Sequence, residues 1–94
     1  MFLIIVTTFS LTEKNELCAE KTVVDTLEKC RVAVDYIKSE VPKAKQPGRS
    51  NWFSGYPKGC FLYVPSNKVY FNKHSTGSSD RSSRHICGKA AGRK

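Results

Sequence analysis

The chain has 94 residues, which is enough for one domain and too few for two. With 39% hydrophobic and 26% charged residues, its composition excludes an intrinsically disordered chain and a multi-span membrane protein. The net charge is +8, and it divides into −2 for residues 1–41 and +10 for residues 42–94. Such an asymmetry indicates an anionic partner and does not indicate a particular fold.

The first ten residues contain an apolar run that is far shorter than the roughly 20 residues needed to span a bilayer. Its length is typical of the hydrophobic region of a signal peptide, although no basic residues precede it. The β-branched residues between Leu3 and Thr8 are also typical of a strand. Residues 1–12 are therefore either a remnant of a secretory signal or an edge strand, and the sequence leaves both open.

An amphipathic helix is predicted over residues 23–41, because apolar residues recur there at alternating steps of four and three. The stripe consists of Val23, Leu27, Cys30, Val34, Ile37 and Val41. The start of the helix is open: residues 22–25 match a capping box, while Asp25 or Thr26 would cap a shorter helix. Pro42 ends the helix, because it disfavours helical geometry at Val41.

Residues 42–51 are polar and contain two prolines and a glycine, so they predict a connector. Lys43, Lys45 and Arg49 are expected to lie in a mobile linker. Beyond it, aromatic and β-branched runs at 59–64 and 68–72 predict a β-hairpin that turns at residues 65–67. Alternation along the first strand of this hairpin places Cys60 and Leu62 on one face of the sheet, and Phe61 and Tyr63 on the other.

Residues 73–85 contain no aliphatic or aromatic hydrophobe, so they predict a long serine-rich loop. Ile86 and Cys87 then predict a short final strand. Residues 89–94 are predicted to form a basic tail, with Arg93 and Lys94 frayed at its end. These assignments leave residues 13–88 as a single α+β domain, in which one amphipathic helix packs on a small antiparallel sheet.

The four cysteines, Cys18, Cys30, Cys60 and Cys87, favour two disulfides. None of them lies in a CxxC arrangement, so a metal site is not expected. A domain of this size gains little net free energy from its hydrophobic core, and disulfides supply part of the missing stability. Two disulfides imply an oxidising compartment and therefore a secreted or extracellular location. The spacing by itself does not choose among the three possible pairings.

The second half of the chain resembles a small cysteine-containing module of algal and marine eukaryote surface proteins, whose function is not established. The resemblance rests on residues 55–63, 69–72 and 74–77 and on Ile86 and Cys87, with a looser match at residues 29–33. It implies extracellular use and supplies no functional residues. The cysteine positions are also similar to those of PAN and apple modules. That likeness implies the pairs Cys30–Cys60 and Cys18–Cys87.

An enzyme is not expected from this sequence. His74 and His85 flank the serine-rich stretch, but no nucleophile elbow of the G-x-S-x-G type occurs. An even number of widely spaced cysteines leaves no thiol for a nucleophile. Asp80 is the only acidic residue after Glu40, so paired-carboxylate chemistry would have to use the helix. Both histidines are therefore interpreted as polar loop residues, and neither a cofactor nor a metal is expected.

The basic and aromatic residues of the second half predict a binding site for a polyanion. The predicted site consists of Lys58, Lys68, Lys73, Arg81, Arg84, Lys89, Tyr56 and Tyr70. Lys and Arg bind sulfate and carboxylate groups, and exposed aromatic rings stack on sugars, so an acidic glycan fits this composition. Nucleic acid is not favoured, because residues 81–84 are only a weak match to the basic-serine dipeptides of RNA-binding tails and charge alone does not select one polyanion over another. Membrane attack is not favoured, because the predicted helix is mixed in charge.

The alternative is a structural or interaction subunit of a cell-surface or larger protein assembly, with a protein as its partner. In that case the aromatic residues fill the core of the domain and the charges form a solvated surface. The burial of Trp52, Tyr56 and Tyr70 distinguishes the two interpretations, since buried rings favour the structural role. The oligomeric state cannot be predicted from the sequence.

Overall fold

The computed structural model describes residues 6–91, which form one helix and a five-stranded sheet. The elements are β1 (Val6–Leu11), α1 (Leu27–Ile37), β2 (Ser50–Asn51), β3 (Pro57–Tyr63), β4 (Lys68–Gly77) and β5 (Ser83–Ala91). The sheet has the order β1-β5-β3-β4-β2, and only β2 and β4 pair in parallel. The prediction of an α+β domain with one helix on a small, mainly antiparallel sheet is confirmed.

The helix is shorter than the apolar stripe predicted. Thr26 caps it, because its hydroxyl accepts a hydrogen bond from the Lys29 backbone nitrogen at 3.1 Å. The prediction of a shorter helix, capped by Asp25 or Thr26, is therefore the correct one. Val23 lies outside the helix and instead forms an isolated antiparallel bridge with Cys87. Four helical residues are buried against the sheet: Cys30, Ala33, Val34 and Ile37.

The sheet buries one face against α1, where Cys60, Leu62, Val69 and Ile86 meet the helical residues in a single core. Phe61 and Tyr63 lie on the opposite face, as alternation predicts. We call this opposite face the helix-distal face. The turn of the β3–β4 hairpin is a 3-10 turn, Val64–Ser66, closed by Asn67 in the left-handed conformation.

Two disulfides connect the elements, and all four described cysteines are used. Cys30 on α1 bonds to Cys60 on β3, so one disulfide joins the helix to the centre of the sheet. Cys18, in the segment after β1, bonds to Cys87 on β5. Both pairs are those expected from the likeness to PAN and apple modules.

The predicted loop at residues 73–85 is wrong, because most of it is strand. β4 continues to Gly77 and β5 begins at Ser83, so only residues 78–82 connect them. Lys89 to Ala91, expected to begin a tail, belong to β5. Residues 1–5 and 92–94, which include parts of the expected signal or strand and of the tail, lie outside the described residues.

The connection between β4 and β5 runs along the length of β3. It begins where the Ser78 nitrogen donates to the Tyr56 carbonyl at 2.9 Å, and it ends where the Val64 nitrogen donates to the Ser82 carbonyl at 2.9 Å. Asp80 holds its last turn, accepting hydrogen bonds from the Ser82 nitrogen and the Ser83 hydroxyl. This acidic residue therefore has a structural role in the loop.

Candidate functional site

The helix-distal face carries a shallow groove of about 280 Å³ that is lined entirely by aromatic residues: Phe53, Tyr56, Phe61, Tyr63 and Tyr70. Phe61 forms its floor and is only 1% exposed. The Tyr56 ring stacks on Phe61 with 5.5 Å between centroids, and the Tyr70 ring stacks on it at 5.6 Å. The two tyrosines are half-buried, so each contributes to the fold and also offers ring surface to a ligand.

Asn72 fixes the segment that supplies two of these rings, Phe53 and Tyr56. Its side chain is 1% exposed, and its amide nitrogen donates to the carbonyls of Phe53, Tyr56 and Pro57 at 2.8 to 3.1 Å. Its amide oxygen accepts from the backbone nitrogens of Phe53 and His74. Four of these five contacts reach residues 53–57 and hold the groove segment on the sheet, with the two amide hydrogens shared among three carbonyls.

A basic pocket of about 490 Å³ adjoins the aromatic groove. It is lined by Pro47, Gly48, Arg49, Asn51, Lys68 and Tyr70. Tyr70 lines both the groove and this pocket. The Lys68 ammonium lies 5.5 Å from the centroid of the Tyr70 ring, within the range of a cation–π contact. An aromatic surface and two cationic side chains thus meet at one tyrosine.

Arg49 was expected in a mobile linker, and this prediction is wrong. The segment that contains Arg49 is held against β4, since the Lys45 nitrogen donates to the Asn67 carbonyl at 2.8 Å and the Val69 nitrogen donates to the Lys45 carbonyl at 3.0 Å. Pro47 is buried, and β2 pairs with β4 immediately after Arg49. These hydrogen bonds join residues that are distant in the sequence, so no local pattern predicts them. They place Arg49 in the lining of the pocket.

The predicted site residues do not converge on one rim. Lys68, Tyr56 and Tyr70 belong to the groove and pocket just described. Lys58 and Lys73 line a separate depression with His74. Arg81 is exposed in the 78–82 connection, and Lys89 is exposed on β5 opposite Thr8 of β1. The sequence places these charges on one half of the chain, but the sheet distributes them over several surfaces.

Arg84 is the clearest departure from the predicted site, because it points to the helix side of the sheet. Its Nε donates to the Thr12 carbonyl at 2.7 Å, and its Nη2 forms an ion pair with Glu40 at 3.0 Å. Glu40 lies just beyond the C-terminal end of α1. Arg84 therefore connects the segment after β1 to the end of the helix, and its charge is already partnered.

His85 was interpreted as a polar loop residue, but it lies on β5 and is only 2% exposed. Its Nδ1 accepts a hydrogen bond from the Cys18 backbone nitrogen at 2.9 Å, and its Nε2 donates to the Lys58 carbonyl. Both ring nitrogens are therefore committed in the neutral form. Burial lowers the pKa of His85 from 6.5, and the hydrogen bond to the Lys58 carbonyl opposes this shift.

Lowering the pH should destabilise the domain through His85. The unfolded state takes up a proton near pH 6.5 and the folded state does not, so the free energy of unfolding is highest above pH 6.5 and falls below it. The slope approaches about 1.4 kcal/mol per pH unit until the folded pKa is reached. Urea denaturation at pH 7.5 and 5.5 measures this loss.

A His85→Asn variant is the control for the pH experiment, because the amide oxygen can still accept from the Cys18 nitrogen. We expect this variant to be less stable than the original at pH 7.5 but to lose less stability between pH 7.5 and 5.5. Glu20 and Lys58 are the charged residues that line the depression next to His85, and both are unchanged in the variant. Equal losses in the two proteins would contradict the assignment to His85.

The three aromatic residues Trp52, Tyr56 and Tyr70 differ in exposure. Its side chain is 65% exposed, whereas Tyr56 and Tyr70 are half-buried. A tryptophan of that exposure contributes little to the core and leaves a large flat surface in solvent. The aromatic residues therefore divide between the core, where Phe61 is buried, and the surface, where Trp52 is exposed.

Within residues 6–91, no three His, Cys, Asp or Glu side chains lie close enough together to hold a metal ion. None of the helices in this part of the chain is long and apolar enough to cross a membrane. No family model, curated protein or solved structure matches the chain. The resemblances to the algal surface module and to PAN and apple modules therefore stay predictions.

Proposed function

We propose that this protein is a secreted, non-enzymatic module that binds acidic polysaccharide on its helix-distal face. The observation that carries the proposal is the position of Tyr70, which lines both the aromatic groove and the basic pocket of Arg49 and Lys68. A sugar ring that stacks on Tyr70 would hold its carboxylate or sulfate group beside these two cations.

The chemistry of the two cations suits this ligand. The Arg49 guanidinium can donate two parallel hydrogen bonds to a carboxylate or sulfate, and the Lys68 ammonium supplies a compact positive charge. The pocket lining contains no acidic residue to compete with an anion. The net charge of +8 also attracts a polyanion from a distance.

The proposal includes a location outside the cytosol, because acidic polysaccharides are abundant at cell surfaces. Two disulfides in one small domain are compatible with such a location, since they persist in oxidising compartments. The structural or interaction role remains the alternative, and the experiment below separates it from glycan binding.

Retention on a heparin column tests the proposal. In an Arg49→Ser/Lys68→Ser variant, we expect elution at lower salt, because two ionic contacts are lost; on nucleic acids each such contact contributes roughly 0.7 to 0.9 to the slope of log K against log salt. The matched control is Lys14→Ser/Lys38→Ser, which removes the same charge from two exposed side chains outside the pocket.

The control variant should elute close to the original protein. If both double variants elute at the same salt, retention reflects net charge alone and the proposed site is wrong. That outcome would favour the structural or interaction role. Circular dichroism of both variants should match the original, since Arg49 is exposed and Lys68 is only partly buried.

A further inference from the structure

A second combination of an aromatic ring and cationic side chains lies further along the same edge of the sheet. The Trp52 ring packs against His74 with 5.0 Å between centroids. Trp52 directly follows β2, whose pairing with Phe71 and Asn72 fixes its backbone. The indole is therefore held in place although 65% of its side chain is exposed. It offers a flat stacking surface that the core does not use.

Two lysines share a depression with His74, the residue that contacts this ring. Lys58 and Lys73 line a depression of about 290 Å³ together with His74. Asp25 is the one carboxylate in that lining, and it forms an ion pair with Lys29 at 3.2 Å. Phe71 lines this depression from the helix side of β4, and His74 links it to Trp52, so its excess of positive charge lies around the edge of β4 from the exposed ring.

The two clusters are separated by the length of several strand residues. Tyr70 and His74 are four residues apart on β4, which corresponds to about 13 Å at the usual rise of a strand. Asn51 lies between them, because it lines the basic pocket and directly precedes Trp52. A single sugar cannot reach both clusters, whereas a linear chain can.

We propose that the β2–β4 edge of the sheet binds an extended, linear acidic polysaccharide through two subsites. One sugar stacks at Tyr70 with its anionic group at Arg49 and Lys68. Another sugar stacks on Trp52 with its anionic group at Lys58 and Lys73. This inference rests on the proposed function, and it adds that affinity depends on the length of the ligand.

Heparin oligosaccharides of two and eight sugar units provide the test. Calorimetry should show that the octasaccharide binds the original protein at least about tenfold more tightly than the disaccharide. Trp52→Ala should lose about tenfold in affinity for the octasaccharide and much less for the disaccharide. Trp52 is the only tryptophan, so octasaccharide binding should also change the intrinsic tryptophan emission of the original protein.

Tyr36→Ala is the matched control, since Tyr36 is an aromatic residue on α1 with 48% exposure. It should bind both ligands as the original protein does. If Trp52→Ala retains full affinity for the octasaccharide while Arg49→Ser/Lys68→Ser loses it, the second subsite is wrong and the proposed function stands. If neither heparin ligand binds the original protein, both proposals are wrong. Tighter binding of a single-stranded oligonucleotide of equal charge would also overturn the polysaccharide as ligand.

Discussion

Replacing Asn72 by alanine is expected to lower the free energy of unfolding by about 3 to 5 kcal/mol. The substitution removes five hydrogen bonds from a side chain that is 1% exposed. It also leaves several backbone groups of the groove segment without their partner, and each buried unsatisfied group costs about 1 to 3 kcal/mol. Water that enters beside the half-buried Phe53 can bond to some of these backbone groups, and this reduces the loss of stability.

Urea denaturation followed by far-UV circular dichroism measures the effect of Asn72→Ala. Asn51→Ala is the matched control, because Asn51 lies on the neighbouring strand β2 and is half-buried. We expect the control to lose less than about 1 kcal/mol. Similar small losses in both variants would show that Asn72 does not hold the groove segment. A selective loss in Asn72→Ala should also change the near-UV signal of the tyrosines.

Removing the Cys30–Cys60 disulfide is expected to have an equally large effect. Both cysteines are fully buried in the core between α1 and β3. Their sequence separation of 30 gives a chain-entropy contribution of about 3 to 4 kcal/mol. A Cys30→Ala/Cys60→Ala variant should therefore melt roughly 15 to 30 °C below the original protein, because 1 kcal/mol shifts a domain of this size by about 4 to 8 °C.

Differential scanning calorimetry measures this change, with Cys18→Ala/Cys87→Ala as the comparison. That second disulfide has a sequence separation of 69, so its chain-entropy contribution is larger by somewhat less than 1 kcal/mol. Cys18 and Cys87 are only half-buried, so their loss disturbs less packing. A melting temperature for Cys30→Ala/Cys60→Ala within a few degrees of the original would contradict the assigned role of this disulfide.

The helix and the β3–β4 hairpin could be predicted from the sequence, because each has a regular pattern of hydrophobic residues. The helix was found because its buried residues repeat with helical spacing, and the hairpin was found because hydrophobic residues alternate around a turn. The longer of the two predicted helices is wrong, because Val23 pairs with Cys87, which is distant in the sequence. The periodicity could not show that a strand partner competes for this residue.

The polar strands could not be predicted, because their partners lie far away in the sequence. β5 begins with Ser83, Arg84 and His85, which read as a loop. In the fold, Arg84 bonds to Thr12 and Glu40, and His85 bonds to the backbone of Cys18 and Lys58. These tertiary hydrogen bonds allow polar side chains to occupy a strand in the middle of the sheet.

The candidate site was predictable only in part, for the same reason. Alternation placed Phe61 and Tyr63 away from the helix, and composition drew attention to Lys68, Tyr56 and Tyr70. Charge alone cannot distinguish a free cation from one that is already paired, and Arg84 is paired with Glu40. Arg49 was excluded because a segment rich in proline and polar residues looks mobile until its hydrogen bonds to β4 are known.

The position of β5 between β1 and β3 has a consequence for how the protein is made. A ribosome releases the N-terminal part of a chain first, so β1 emerges long before the strand that pairs with it. Cys18, Cys30 and Cys60 likewise emerge before Cys87. A helix that docks on β3 before Cys87 emerges would pair Cys30 and Cys60 from three available thiols, and β5 would then complete the described sheet and the second disulfide.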